Sequence, residues 1–195
     1  MSVSPDIFRK QMEWIRQHGY TTINLDTYVS IMRGDIAGPA KPIVITFDDN
    51  NLTQYTLAAP ILREQSHIAV FYLVTNRLKN KSFITEDQVK QLAEWGMDIQ
   101  SHTLDHATLT HLSLKRLDEE FVQSKAVLEA LTGKAVRHVA YPSTAHNKTV
   151  RERASNAGFV TGTIMDPRPA TSKDDLLRLP RIQMNDTTKL ATLLP

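Results

Sequence analysis

Ile43-Val44-Ile45-Thr46-Phe47-Asp48-Asp49 decides how this chain is read. A short β-branched run reads as a buried strand, and two carboxylates stand at its carboxyl end. A second run, around Met97 and Ile99, ends on Ser101-His102-Thr103-Leu104-Asp105-His106. Working outward, four more strands are expected: Ile68 to Val74, His138 to Tyr141, Phe159 to Ile164 and Leu179 to Met184. Thr22 to Leu25 is a further short candidate.

Helical stretches lie between these runs. Ser4-Pro5-Asp6 is a helix start, with a capping hydroxyl and Pro at the first helical position. Phe8, Met12 and Ile15 form its apolar stripe, and Gly19 ends it. Asp26 is expected to cap a brief helix that stops at Gly34. Thr53 to Gln65 reads as a helix kinked at Pro60. Thr85 and Gln88 form a capping box for a helix ending at Trp95. Ser113 caps a long helix running to Thr132, and Lys148 to Ala157 is another. The stretch from Asp186 reads as a helix start cut off at Pro195.

Alternating strands and helices, without repeats, predict an α/β fold: a parallel sheet with helices outside, closing as a (β/α) barrel. Parallel folds gather reactive groups at the carboxyl ends of their strands. Asp48, Asp49, His102, His106 and the loop after Tyr141 all fall there.

Composition narrows the function. A chain of 195 residues is one ordinary domain. A net charge of +2 and no basic run give no argument for nucleic acid. Without Cys there are no disulfides and no thiolate metal sites. No run approaches the ~20 apolar residues of a membrane span. Met1-Ser2-Val3-Ser4-Pro5 lacks the apolar core of a signal peptide, which fits either a cytoplasmic protein or a trimmed chain.

Each motif has a plain alternative. Asp48-Asp49 alone is a solvated acidic turn; in extended backbone the two would point apart, whereas a turn lets one serve a metal and one a water. A lone His is usually a surface or core residue, but His102 and His106, four apart, share one metal if the segment turns as a helix does. Together at neighbouring strand ends, these donors suit a divalent ion and leave a carboxylate over for proton transfer.

Taken together, Thr46-Phe47-Asp48-Asp49, Ser101 to His106, Ala140-Tyr141-Pro142 and Leu179-Pro180-Arg181-Ile182 resemble the polysaccharide deacetylases with a NodB-like domain, carbohydrate esterase family four. The similarity runs from Phe8 to Met184 and is greatest to the branch acting on poly-N-acetylglucosamine. It implies a distorted, incomplete (β/α) barrel, a single catalytic domain over 1–195. It implies Asp49, His102 and His106 as ligands of one divalent metal, zinc first, with cobalt or nickel as alternatives. Asp48 would be the general base, and the Ser143 N–H the oxyanion donor. Many relatives carry an Arg where this chain has Ala140; Arg181 would orient Asp48 instead, its plain alternative being a surface ion pair. Tyr141 and Pro142 would face the sugar; Tyr55, by its place just after the aspartate loop and not by the resemblance, is a further candidate to line the groove. The implied activity is hydrolysis of the N-acetyl group of N-acetylglucosamine residues in an extracellular or cell-wall polysaccharide.

The chain departs from the family pattern at two glycine positions, where Asn50 and Thr144 stand. Asn tolerates left-handed backbone, so Asn50 reads as a mild change. Thr is β-branched, so Thr144 is expected to reshape its loop. The family's late-chain His, the general acid, has no match after His146, so that role is unassigned: His146 is a candidate by elimination, the alternative being a chain truncated before the usual site. These departures motivate two other readings: a catalytically impaired, metal-containing sugar-binding relative, or a metal-dependent amidase on a small non-sugar amide. Trp14, Trp95, His67, His111 and His138 read as structural or surface residues, and Asp105 as a turn cap or a partner of the histidines.

Overall fold

The computed structural model describes residues 3–194. The reading of the extreme N-terminus at Met1 and Ser2, and the end at Pro195, lie outside them. In chain order the elements are α1 (Pro5–Gln17), β1 (Thr21–Thr22), α2 (Leu25–Arg33), β2 (Pro42–Ile43), β3 (Thr46–Phe47), α3 (Ala59–Glu64), β4 (Val70–Leu73) and α4 (Glu86–Glu94). There follow β5 (Asp98–Ser101), α5 (Leu114–Thr132), β6 (His138–Ala140), α6 (Lys148–Asn156), β7 (Thr161–Met165), β8 (Leu179–Arg181) and α7 (Leu190–Leu193).

Strands β3 to β8 form one sheet in strict chain order, and every adjacent pair is parallel. Parallel neighbours need a crossover, which α3, α4, α5 and α6 supply for the first four pairs. In a flat six-stranded sheet the two edges would stand about 24 Å apart, at ~4.8 Å per neighbour. Yet Arg181 of edge strand β8 donates from Nη1 to Thr46 Oγ1 of the other edge, β3, at 3.0 Å. The sheet has therefore curled into an incomplete (β/α) barrel.

All four residues of β4 are buried, as expected of a strand covered on both faces. Phe71 and Leu73 pack outward among Phe8, Met12, Ile15, Leu62, Leu92 and Phe121 from the surrounding helices. Val70 and Tyr72 point the other way, into the barrel, against Ala140 and Leu25. Ser113 caps α5, accepting from Arg116 N, and Thr85 with Gln88 makes the capping box of α4.

Several boundaries differ from the sequence reading, each for a local reason. The run Ile43 to Phe47 is two strands, because it changes partner midway. Ile43 O accepts from Ile23 N in the small β1–β2 sheet, whereas Ile45 O accepts from Val70 N of β4. The candidate Thr22 to Leu25 stops at Thr22, since Asn24 caps α2 by accepting from Thr27 N. Asp26, expected to be that cap, instead faces His138 Nε2 of β6 at 3.3 Å. The Ser4 hydroxyl does not cap α1; its N–H donates to Asp186 Oδ1 at 2.7 Å. The helix expected over Thr53 to Gln65 opens as a π-turn over Gln54–Ala58 and becomes α3 beside Pro60. From Asp186 only α7 is helical.

One glycine is set by contact. A Cβ on Gly162 of β7 would lie 2.2 Å from the Tyr141 hydroxyl oxygen, and Tyr141 is only 2% exposed. Gly162→Ala should cost about 1–3 kcal/mol through overpacking. Its melting temperature should fall below the parent's; an unchanged value would mean that Tyr141 can move aside.

Candidate active site

Three loops at the carboxyl ends of β3, β5 and β6 build the site, and their backbone is unusual. Seven non-glycine residues among those described have left-handed φ, and six are here: Asp49 (77°), Asn50 (60°), Thr103 (69°), His106 (61°), Ser143 (52°) and Thr144 (59°). Such conformations cost roughly 1–3 kcal/mol each and persist only where the surroundings enforce them. The enforcing contacts are specific. The buried Asn50 amide donates from Nδ2 to Val74 O at 3.1 Å and accepts from Val74 N at 2.6 Å. Thr103 Oγ1 accepts from His106 N at 3.2 Å. Thr144 Oγ1 accepts from Met165 N at 3.1 Å.

These contacts correct two expectations. Thr144 does not move its loop away from left-handed backbone; it adopts that backbone itself. Asn50 is not a mild replacement for glycine, because its side chain ties the end of β3 to the end of β4. Asn50→Gly would leave the Val74 N–H without its partner, at roughly 1–3 kcal/mol, while the Val74 C=O keeps its bond from Arg77 N. The expected result is a clear drop in melting temperature, and a variant as stable as the parent would contradict the clamp.

Asp49, His102 and His106 converge. Their donor atoms all lie within 4.8 Å of one another. Asp49 Oδ1 is 3.2 Å from His106 Nε2 and 3.8 Å from His102 Nε2. The two His do not meet through a helical turn, as their spacing suggested. They meet through an irregular loop, with rings 4.8 Å apart and nearly perpendicular. His102 Nδ1 donates to Ala140 O at 2.8 Å, which leaves the Nε2 lone pair toward Asp49. His102 is 3% exposed, and burial holds its pKa below the ordinary imidazole value, so it is neutral, as a ligand must be. The hydrogen bond from His106, against the cost of burial, lowers the Asp49 carboxyl to about 2. Tetrahedral ligands with bonds of ~2.1 Å stand about 3.4 Å apart. The observed 3.2 and 3.8 Å separations, with one carboxylate and two imidazoles, fit one divalent ion.

Asp48, close enough to His102 and Asp49 to interact with both electrostatically, is held by Arg181. Arg181 Nη1 donates to Asp48 Oδ1 at 2.8 Å and Nη2 to Oδ2 at 2.7 Å, a two-point fork. The Arg181 side chain is 12% exposed, so this is not a surface ion pair. Burial pushes the Asp48 carboxyl up, but the Arg181 charge and its hydrogen bonds outweigh that and hold it below the ordinary value. Ser143 is exposed at the β6 loop, beside the buried Pro142.

Three residues expected to face sugar are otherwise engaged. Tyr141 is core: its hydroxyl donates to Leu177 O at 3.1 Å and its ring stacks on His146. Pro142 is buried beneath the turn. Tyr55 stacks on Trp95 at 5.6 Å between ring centres and hydrogen-bonds Gln91 of α4, so it joins two helices. His67 and His138 are buried and bonded to Met12 O and Thr161 Oγ1, and His111 is exposed. Asp105 accepts from Arg116 and Asn76.

Glu120 escaped the sequence reading. It is fully buried, and its Oε2 accepts from Leu104 N at 2.9 Å and Asp105 N at 3.0 Å, inside the loop between the two His. Arg116 Nη2 donates to its other oxygen at 3.0 Å. The available signal was its place among Leu117, Phe121, Ser124 and Leu128 on the buried face of α5. A carboxylate on such a face needs partners, because an unpaired buried charge is very costly.

Comparison with known proteins gives one family. The polysaccharide deacetylase profile matches residues 35–162. YxkH of Bacillus subtilis (strain 168) is 26% identical over 178 residues, which are 91% of this chain and 64% of that protein. The poly-beta-1,6-N-acetyl-D-glucosamine N-deacetylase of Staphylococcus epidermidis is 26% identical over 200 residues, 95% of this chain and 68% of its own length. The chain thus spans about two thirds of these curated relatives. Among solved structures, Streptococcus pyogenes deacetylase PplD, in complex with acetate, superposes with a TM-score of 0.95 at 26% identity. That match covers 99% of this chain and 88% of PplD.

Proposed function

We propose that this chain, which belongs to the polysaccharide deacetylase family, is a metal-dependent N-deacetylase acting on N-acetylglucosamine residues of an extracellular or cell-wall polysaccharide. The observation that carries the reading is one carboxylate and two imidazoles converging on a point beside a second, arginine-held carboxylate. The Staphylococcus epidermidis relative, by its name a poly-beta-1,6-N-acetyl-D-glucosamine deacetylase, supports the polymer.

Asp49, His102 and His106 would hold one divalent ion, zinc first. Such an ion supplies Lewis acidity, making water a better nucleophile and the acetamide carbonyl a better electrophile. The protein's own residues do the rest. Asp48, kept ionised by Arg181, takes the proton of the attacking water. The fork occupies one lone pair on each Asp48 oxygen, and a carboxylate has about four such positions, so acceptor capacity remains. Arg181 fixes the direction of that carboxylate and keeps its charge. The Ser143 N–H donates to the acetamide oxygen as it gains charge.

The Asn50 and Thr144 loops that motivated a non-catalytic sugar-binding relative reach left-handed backbone without glycine, so they no longer favour it. The test is acetate release from β-1,6-linked and β-1,4-linked N-acetylglucosamine oligomers. Release from the β-1,6 series above the β-1,4 series is expected. Release from neither, beside hydrolysis of a small non-sugar acetamide, would replace this reading with the amidase.

A further inference from the structure

The turn that follows β4 supplies none of the three converging ligands, yet it touches both loops that do. It is a single 3-10 turn, Thr75–Arg77. On one side, Thr75 N donates to Thr103 O at 3.2 Å and Asn76 N to Leu104 O at 3.0 Å, and Asn76 Nδ2 donates to Asp105. These bonds fall between His102 and His106. On the other side, Val74, the residue before the turn, pairs with the Asn50 amide. Arg77 then reaches Asp49 itself. Its Nη1 donates to the Asp49 main-chain oxygen at 3.1 Å and to Oδ1 at 3.2 Å. Oδ1 is the oxygen that faces both imidazoles.

One nitrogen thus bridges the backbone and the side chain of a single residue, and that residue has φ of 77°. The bridge holds the left-handed turn and the side-chain torsion together. Without it, only His106 Nε2, 3.2 Å from Oδ1, would restrain the Asp49 carboxylate, whose side chain is 44% exposed.

We propose that Arg77 is a positioning residue for Asp49 and sets the affinity of the metal site, an inference that rests on the reading of Asp49 as a ligand. The opposing effect is repulsion between the guanidinium and a divalent ion. The Arg77 side chain is 30% exposed, so solvent screens that repulsion, while the loss of a fixed ligand is not screened. Positioning therefore wins.

The experiment measures zinc binding to metal-free protein by competition with a chromophoric chelator, in the wild type, Arg77→Met, Arg77→Lys and Asp49→Ala. Metal-free Arg77→Met should melt within a few degrees of the metal-free wild type. Its zinc dissociation constant should rise about 10- to 100-fold, the usual result of removing a partner of a ligand. Arg77→Lys, which keeps the charge but ends in a shorter, rotating ammonium in place of the fixed Nη1 bridge, should lie between. Arg77→Met with wild-type or tighter affinity overturns the proposal. If Arg77→Met does not fold, Arg77→Lys decides: weakened binding supports the proposal and unchanged binding overturns it. Asp49→Ala separates the two claims. If it binds zinc as the wild type does, the ligand reading fails and takes the role of Arg77 with it; if it binds none while Arg77→Met binds normally, only the role of Arg77 fails.

Discussion

Asp48→Asn should keep its zinc and lose about two to four orders of magnitude in kcat, the range expected of a positioned general base. The geometry separates the two carboxylates. Asp49 Oδ1 lies against both imidazoles, whereas each Asp48 oxygen accepts one bond from the Arg181 fork. An amide in place of Asp48 still accepts one bond from Arg181 but cannot take up a proton from water at neutral pH. Metal analysis and steady-state kinetics on one preparation check both halves. Loss of metal in Asp48→Asn, with metal retained in Asp49→Asn, would exchange the two assignments.

His102→Ala should abolish stoichiometric zinc, and with it activity. His102 is the most buried of the three residues, and its proton is fixed on Nδ1 by the Ala140 carbonyl, so no neighbour can replace its Nε2. The clean readout is the rise in melting temperature on adding zinc. A ligand at a thousand times its dissociation constant stabilises by about 4 kcal/mol, and that increment should vanish in the variant. Comparing each protein with and without zinc cancels any direct effect of the substitution on the fold. A zinc-dependent rise equal to the parent's would remove His102 from the site.

The alternation of strands and helices, and the grouping of Asp48, Asp49, His102 and His106 at strand ends, were legible because they follow from periodicity and parallel topology alone. Ser113 and the Thr85–Gln88 box were legible because capping is local chemistry. The split of Ile43 to Phe47 was not, because it depends on which strand each carbonyl meets, a tertiary fact. The packing of Tyr55 and Tyr141 was not legible, because an aromatic residue near a motif looks the same in sequence whether it faces a ligand or a helix. Asn50 misled more instructively: tolerance of left-handed backbone was read correctly, but its amide bonds to Val74, 24 residues away, were invisible. Arg77 and Glu120 were missed for the same reason, since their partners lie in other loops.

Acetate release from N-acetylglucosamine oligomers by one preparation, stripped with chelator and then reloaded with zinc, tests the central claim most directly. The stripped protein should release no acetate, and one equivalent of zinc should restore the full rate. Undiminished release from the metal-free protein, or none after it has taken up its zinc, would contradict a metal-dependent deacetylase.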